Sequence, residues 1–201
     1  MTRNNKPEFF HYVYALYFGY LFLLAIFCFS KIQYLDNNVP SPISDIPDFY
    51  FYNHYGELVT KDSLINRITI LDFIFTRCEG TCPIMSDYMS KLYKNYNNNS
   101  EVLLISITVD PDYDTKDILN FYARANDVND RRWYFLTGEM EEIKNFSKKG
   151  FNLVSDFFPS THTKNFYLID NFGRYRKFYD GTDEKSVKSL INHVNLLLNK
   201  V

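Results

Sequence analysis

Two closely spaced cysteines are the residues of this sequence best suited to chemistry. Cys78 and Cys82 stand four positions apart, where an apolar strand pattern gives way to a helical one. The partial positive charge of a helix N-terminus stabilises a thiolate, which is the form that binds metal ions and attacks disulfides. One helical turn, or a step from loop to helix, aims both sulfurs the same way. The pair therefore predicts a metal site, a redox pair or a structural disulfide.

These three interpretations differ in how well they explain so short a spacing. A disulfide that closes such a short loop removes little chain entropy, so a purely stabilising role is weakly motivated. Two thiolates suit a soft ion such as Cu(I), and one imidazole completes a three-coordinate site that also holds Cu(II). The third cysteine, Cys28, lies in an N-terminal apolar run and is interpreted as one more apolar residue there.

A third metal ligand has to come from one of four histidines. His11 lies in or beside the N-terminal apolar run, His54 in a predicted surface turn, and His193 on the predicted solvated side of the last helix. His162 stands in a loop just before the strand predicted at Lys164–Asp170. A lone loop histidine is more often an ordinary residue than a ligand, so spacing alone leaves the third ligand open.

Two aspartates are further candidates near the cysteines. Asp72 interrupts an apolar strand pattern six residues before Cys78. A buried carboxylate with a raised pKa could act as a base for the Cys82 thiol. Alternatively, its side chain reaches solvent or a hydrogen-bond donor at the sheet edge. Asp110 follows the next strand pattern, where it either lies near the site or serves as a turn or cap residue.

Strand and helix patterns alternate around these residues. The apolar runs Ile68–Phe75 and Val102–Val109 are typical of strands covered on both faces. Pro83 suits the first turn of a helix that continues to the asparagines at 97–99. Further helices are predicted after Asp114 or Thr115, after Thr137, and over Glu184–Lys200; the remaining strands are predicted at Phe49–Phe51, Glu57–Thr60, Trp133–Leu136, Lys164–Asp170 and Arg174–Tyr179. This order predicts an α/β fold with a mixed sheet sandwiched between helices.

The N-terminal segment reads as a membrane anchor. Phe9 to Ser30 contains no Lys, Arg, Asp or Glu, and at about 1.5 Å per residue it would cross a bilayer core of roughly 30 Å. Arg3 and Lys6 precede it, so the positive-inside bias places the N-terminus in the cytoplasm. A cleaved signal peptide is the rival interpretation, but no A-x-A-like site follows. The predicted divisions are a cytoplasmic tail (1–8), a transmembrane anchor (9–30), a proline-rich tether (31–47) and a folded domain (48–201).

Composition excludes some classes of protein. The chain is 46% hydrophobic with a formal net charge of −2, so it is neither disordered nor low in complexity. Lys and Arg are spread along the chain, and we expect no nucleic-acid partner.

Several runs, taken together, resemble the SCO/SenC family from about Pro47 to Leu198. They are, in chain order, Asp72-Phe-Ile-Phe-Thr-Arg-Cys78 with Cys82-Pro83, then Ile107-Thr-Val-Asp110-Pro111, Leu136-Thr-Gly138, and His162 before Phe166-Tyr-Leu-Ile-Asp170. The resemblance implies a thioredoxin-like fold in which Cys78, Cys82 and His162 bind one copper ion, as Cu(I) or Cu(II). It also implies a metallochaperone that helps to assemble the binuclear copper centre of cytochrome c oxidase, with the copper-receiving oxidase subunit as its partner.

A thiol–disulfide oxidoreductase is the alternative function. Cys78 and Cys82 would then be a redox pair that keeps the copper-ligand cysteines of the oxidase subunit reduced, with a thiol reductant as a further partner. Asp72 would be the proton acceptor, like the buried aspartate that thioredoxins carry at the same distance before their first cysteine. Dedicated oxidoreductases of this type favour C-x-x-C and place a cis-proline before a strand. Here the spacing is C-x-x-x-C, and His162 with Thr163 holds the corresponding place, which favours the metal.

The predicted location follows from the anchor. We expect a single-pass membrane protein whose folded domain lies in the periplasm, in preference to the mitochondrial intermembrane space.

Overall fold

The chain divides into two compact units, Met1–Asn38 and Val39–Val201. A computed structural model describes residues 6–36, 38–154, 158–159 and 163–199. The first unit contains one long helix, α1 (Lys6–Asp36), which covers the predicted anchor. Within the described part of the chain, no helix has both the length and the apolar character needed to cross a membrane. The predicted transmembrane anchor is therefore not supported.

The second unit contains the strands and helices that the sequence patterns predict. Its strands are β1 (Ser44–Asp45), β2 (Tyr50–Asn53), β3 (Leu58–Thr60), β4 (Ile68–Ile74), β5 (Val102–Thr108), β6 (Trp133–Thr137), β7 (Asn165–Ile169) and β8 (Arg174–Asp180). Its helices are α2 (Cys82–Asn95), α3 (Lys116–Ala125), α4 (Met140–Phe151) and α5 (Glu184–Leu198), with a short 3₁₀ helix at Lys61–Leu64. Strand β1 and the 3₁₀ helix are additions to the predicted set.

All described strands belong to one mixed sheet. Its order is β1-β8-β7-β4-β5-β6-β2-β3. The central strands β4, β5 and β6 are parallel to one another, whereas β7 is antiparallel to β4 and β2 is antiparallel to β6. The prediction of a mixed sheet is confirmed. Because the carboxyl ends of parallel strands share one edge, the segments that follow β4 and β5 lie side by side there, where ligands of open α/β sheets commonly bind.

Helices cover both faces of the sheet. Ile68, Ile70 and Ile74 of β4 pack into a core with α2, α3 and α5, whereas Leu71 and Phe73 pack into the opposite core with α4. Every residue of β4 and β5 is buried, as their unbroken apolar runs predict. The cysteine-bearing loop follows directly after this buried central strand.

Part of the predicted tether belongs to the folded unit. The Ile43 N–H donates to the Tyr175 carbonyl at 2.8 Å, and the Ile46 N–H donates to the Gly173 carbonyl at 3.0 Å. Ile46 is fully buried. The second unit therefore begins at Val39 instead of residue 48, because β8 offers backbone groups that this segment can pair as an added edge strand.

Candidate metal centre

The two cysteines lie at the junction between the central strand and the helix that follows it. β4 ends at Ile74, and Cys82 is the first residue of α2, with Pro83 in its first turn. Cys78 lies in the connecting loop and is partly exposed, whereas Cys82 is buried with 1% of its surface exposed. Both are thiols, and no disulfide joins them in the described part of the chain. The sequence-based prediction for the position of the pair is therefore confirmed.

Backbone donors surround the Cys78 sulfur. The Gly80 N–H donates to Cys78 Sγ at 3.4 Å. Partial burial acts to raise the pKa of Cys78, but hydrogen bonds from the Cys82 backbone and thiol, together with those from Gly80 and Thr81, outweigh it and lower that pKa. Cys78 is thus the thiol that more readily becomes a thiolate.

Cys82 has the opposite tendency. Burial raises the pKa of its thiol to about 12, a backbone hydrogen bond at Phe75 opposes that rise, and the neighbouring Cys78 and Asp72 add to it. The buried sulfur therefore stays protonated until a cation stabilises its thiolate or a base accepts its proton. One accessible thiolate beside one protonated thiol is suited both to capture of a soft cation and to disulfide exchange.

A fully buried aspartate holds the cysteine-bearing loop against the loop that follows β5. The carboxylate of Asp114 accepts the Thr76 backbone N–H at 3.0 Å and the Thr76 hydroxyl at 2.5 Å. It also accepts the Thr108 hydroxyl at 2.5 Å. These three donors satisfy the carboxylate without solvent, so the backbone two residues before Cys78 is fixed to the end of β5.

A second connection joins the same two loops nearer the surface. The Arg77 guanidinium forms an ion pair with Asp110 at 2.5 Å and lies 4.0 Å above the centre of the Tyr113 ring. The Asp110 carbonyl also accepts the N–H groups of Tyr113 and Asp114, which forms a turn. Both interpretations of Asp110 thus hold: it lies beside the cysteine loop and it is a turn residue.

Asp114 is the residue of this site that sequence reasoning missed. The pattern offered either Asp114 or Thr115 as the cap of α3, and the structure gives that position to Thr115. The run Asp110-Pro-Asp-Tyr-Asp114 contained the signal, because several carboxylates directly after a buried parallel strand have to face the neighbouring strand-to-helix loop or solvent.

Asp72 is buried in the apolar core on the side of α2 and α3. Its exposure is 1%, and neither carboxyl oxygen has a hydrogen-bond partner among the described residues. Burial raises the pKa of Asp72 to about 7, against a smaller opposing influence of Ser106, which lies opposite on β5. The alternative in which this side chain reaches solvent or a donor at the sheet edge is wrong, since β4 is a central strand.

Three of the four histidines lie within the described residues, and two of these three are buried. His162 lies outside the described residues, so its predicted role as a ligand stays a prediction. His54 and His193 were predicted on the surface, and both are buried. His54 Nδ1 accepts the Phe135 N–H at 3.2 Å, and burial lowers its pKa to about 4. His193 Nδ1 lies 2.7 Å from the Tyr179 hydroxyl.

The donor set fits a soft metal ion. Two thiols at the N-terminus of α2 supply the sulfur ligands that Cu(I) prefers. Within the described ranges, no group of three or more His, Cys, Asp or Glu side chains is placed to hold a metal ion. His162, the predicted third ligand, lies outside those ranges.

Comparison with known proteins gives a consistent result. The SCO1/SenC family model matches residues 40–199. The SCO1 protein homolog of Bacillus subtilis (strain 168) is 30% identical over 183 residues, which cover 88% of this chain and 92% of that protein.

Two solved structures are similar in fold. BsSco, a member of the Sco family of cytochrome c oxidase assembly proteins with an identified disulfide switch, is 31% identical, with a TM-score of 0.68 over 79% of this chain and 96% of that one. ScoI of Arabidopsis thaliana, solved with copper bound, is 25% identical, with a TM-score of 0.61 over 82% of this chain and all of the other. The fold is thus the thioredoxin-like fold of the Sco proteins.

The matched range includes both cysteines, the whole sheet and the Asp114 clamp, by which we mean the hydrogen bonds from Thr76 and Thr108 to the Asp114 carboxylate. The chain belongs to the SCO1/SenC family.

Proposed function

We propose that this protein is a metallochaperone that binds one copper ion through Cys78, Cys82 and His162 and delivers it to a subunit of cytochrome c oxidase. The observation that carries the proposal is the pair of thiols at the start of α2, one partly exposed and one buried. Its support from relatives is the copper-bound ScoI and the description of BsSco as an oxidase assembly protein.

The two sulfurs would have different tasks in binding. Cys78 is partly exposed and has a lowered pKa, so its thiolate meets the incoming cation first. Cys82 then gives up its proton as the cation approaches, because a positive charge stabilises the second thiolate. Asp72 influences the pKa of Cys82, and its own pKa is about 7, so its ionised form is the acceptor for this proton.

A titration of the reduced full chain tests the proposal. Cu(I), buffered by a chromophoric chelator, should bind with a stoichiometry of one, and His162→Ala should weaken binding at least tenfold. His11→Ala is the matched control, since His11 lies on the exposed surface of α1. Equal affinity of the wild type and His162→Ala would reject His162 as a ligand.

The second candidate is the thiol–disulfide oxidoreductase, and the buried Asp72 favours it. In that reaction the Cys78 thiolate attacks a disulfide of the partner and releases one thiolate. Cys82, deprotonated by Asp72, then attacks Cys78 Sγ, which releases the second partner thiol and leaves a Cys78–Cys82 disulfide. A thiol reductant restores the dithiol. Turnover of an oxidised peptide that carries the oxidase copper-ligand cysteines, lost in Asp72→Asn while copper affinity is unchanged, would favour this function.

The periplasmic location stays a prediction. Labelling of Cys78 in intact cells by a membrane-impermeant maleimide is the expected result, and labelling only after lysis would contradict it.

A further inference from the structure

An apolar groove lies directly beside the cysteine loop. It has a volume of about 420 Å³, and its walls come from the cysteine loop, the loop after β5 and α3. The lining residues used below are Arg77, Tyr113, Asp117, Ile118, Phe121 and Tyr122. Arg77 is the residue next to Cys78, so anything seated in this groove touches the loop that carries the proposed copper ligand.

One wall of the groove is an aromatic side chain that is not buried in either core. Phe121 is 76% exposed, the highest value for any large apolar side chain in the described part of the chain. α3 buries Leu119 and Ala123 instead, on its inner face. Asp117 and Ile118 precede Phe121 by four and three positions and therefore share its outer face. Large exposed apolar side chains grouped beside a functional site are typical of an interaction surface.

Among the residues that line the groove, the charge left unpaired is negative. Arg77 is paired with Asp110, and the side chain of Lys116 lies against Gly56 at the turn between β2 and β3. Asp112 and Asp117 are exposed, and no ion pair joins either to a cation among the described residues. Complementary charge on a partner would therefore be positive.

Complementarity also argues against a second copy of this chain as the occupant. A two-fold contact through the groove would bring Asp112 and Asp117 towards the same acidic side chains of the other copy. Like charges in apposition disfavour association.

We propose that this groove is the docking site for the copper-receiving oxidase subunit, which inserts an apolar side chain flanked by Lys or Arg against Phe121, Tyr113 and Ile118. The inference rests on the proposed function, because it names where the recipient of that function binds. Docking here would place the partner beside Cys78, the more exposed of the two thiols.

The test measures association and copper binding separately. The probe is the purified copper-receiving domain of the oxidase subunit from the same organism, titrated against the copper-loaded full chain. Phe121→Ser should raise the dissociation constant about tenfold, as expected for loss of an aromatic anchor. Phe172→Ser is the matched control, because Phe172 is 63% exposed and lies after β7, which runs antiparallel to β4 and therefore ends at the opposite edge of the sheet.

A charge variant tests the second part of the proposal. Asp112→Asn combined with Asp117→Asn should slow association and reduce its dependence on salt, whereas Glu142→Gln on α4 should change neither. Thermal unfolding of each variant, expected to match the wild type for these exposed positions, shows that folding is not the cause.

Each outcome bears on one of the two proposals. Failure of the wild type to bind Cu(I) one-to-one would reject the metallochaperone and leave the groove without its stated partner. Normal copper binding with equal dissociation constants for Phe121→Ser, Phe172→Ser and the wild type would reject the docking site alone. Self-association of the wild type that Phe121→Ser abolishes, without binding of the oxidase domain, would assign the groove to a second copy and overturn the proposal.

Discussion

At the scale of single residues, the two cysteines differ in exposure and in the pKa of their thiols, although they are the same type of residue. Cys78 is partly exposed with several donors directed at its sulfur, and Cys82 is enclosed by the core beneath the start of α2. The difference arises from position, since Cys78 lies before the first turn of the helix and Cys82 within it. Because of this difference in position, Cys78 ionises readily, whereas the buried Cys82 keeps its proton.

Selective alkylation checks this difference. With iodoacetamide between pH 6 and 10, Cys78 should react first, and its rate should rise at a lower pH than for an ordinary thiol of pKa about 8.5. Cys82 should react slowest, because burial raises its pKa to about 12. Peptide mapping by mass spectrometry distinguishes the sites. Equal rates at Cys78 and Cys82 would contradict the assignment.

Asp72 is expected to make the stability of the metal-free protein fall with rising pH. Folding raises its pKa from 3.8 to about 7, so the folded state binds more protons than the unfolded chain between these values. Its contribution is fully present below pH 3.8 and is lost as the pH rises towards 7 and above, by at most about 4 kcal/mol at about 1.4 kcal/mol per pH unit.

Replacement of Asp72 tests that sign. Asp72→Asn should become more stable relative to the wild type as the pH rises from 5 to 8, as measured by urea unfolding. Asp112→Asn, an exposed control, should show a constant difference. Parallel profiles for the wild type and Asp72→Asn would contradict the raised pKa.

At the scale of elements, the cysteine loop depends on contacts with its neighbour. Asp114, Asp110 and Tyr113 all come from the segment between β5 and α3, yet they hold Thr76 and Arg77 of the segment between β4 and α2. The parallel pairing of β4 and β5 brings these two segments together. The loop that carries Cys78 is therefore held in place by the segment between β5 and α3.

Removal of the Asp114 carboxylate should loosen this junction. Asp114→Ala leaves the Thr76 N–H and two hydroxyls without their acceptor, so we expect a loss of about 3 kcal/mol in the free energy of unfolding. Copper affinity should fall as well, because Cys78 is no longer fixed in place. Asp112→Ala, two positions away and exposed, should stay within about 0.5 kcal/mol. Equal stability of the two variants would show that the clamp contributes nothing.

Gly138 is required by close packing between β6 and β2. A Cβ at this position would lie 2.6 Å from Cδ1 of Phe51, which belongs to the core on the α4 side of the sheet. Gly138→Ala should therefore cost about 1–3 kcal/mol by overpacking. In combination with Phe51→Leu the cost should be smaller than the sum of the two single variants, as a double-mutant cycle of chemical unfolding would show. Simple additivity would contradict the contact.

At the scale of the whole molecule, the site stands at one edge of a sheet that is covered on both faces. The compact unit from Val39 to Val201 contains both cores, both cysteines and the Asp114 clamp. It has what a domain needs in order to fold alone.

Copper binding should stabilise that unit when it is produced separately. Residues 39–201 should unfold in one transition, and Cu(I) at a free concentration one hundred times its dissociation constant should add about 2.7 kcal/mol. The double variant Cys78→Ser with Cys82→Ser should gain none of this. Unfolding would be followed by circular dichroism at fixed free Cu(I), and equal gains in both proteins would place the metal elsewhere.

Prediction from the sequence succeeded where a local pattern decides the structure. The unbroken apolar runs of β4 and β5, and Pro83 at the start of α2, indicate strand and helix without reference to the rest of the fold. It failed for His54, because Asn120 of α3 donates to its carbonyl and the Phe135 N–H reaches its ring across the sheet. It failed for the tether, because Ser44 and Asp45 pair with Tyr175 and Arg174 of β8, far along the chain.

The sequence by itself determined that Cys78 and Cys82 would share the junction of a buried strand and a helix, since spacing and apolar periodicity are local properties. Only the tertiary structure decided which thiol is buried, that Asp72 is enclosed without a hydrogen-bond partner among the described residues, and that Asp114 holds the cysteine loop. Those properties depend on which segments the parallel pairing of β4 and β5 brings together. Burial and hydrogen bonding across that junction arise from residues more than 30 positions apart, which no local pattern contains.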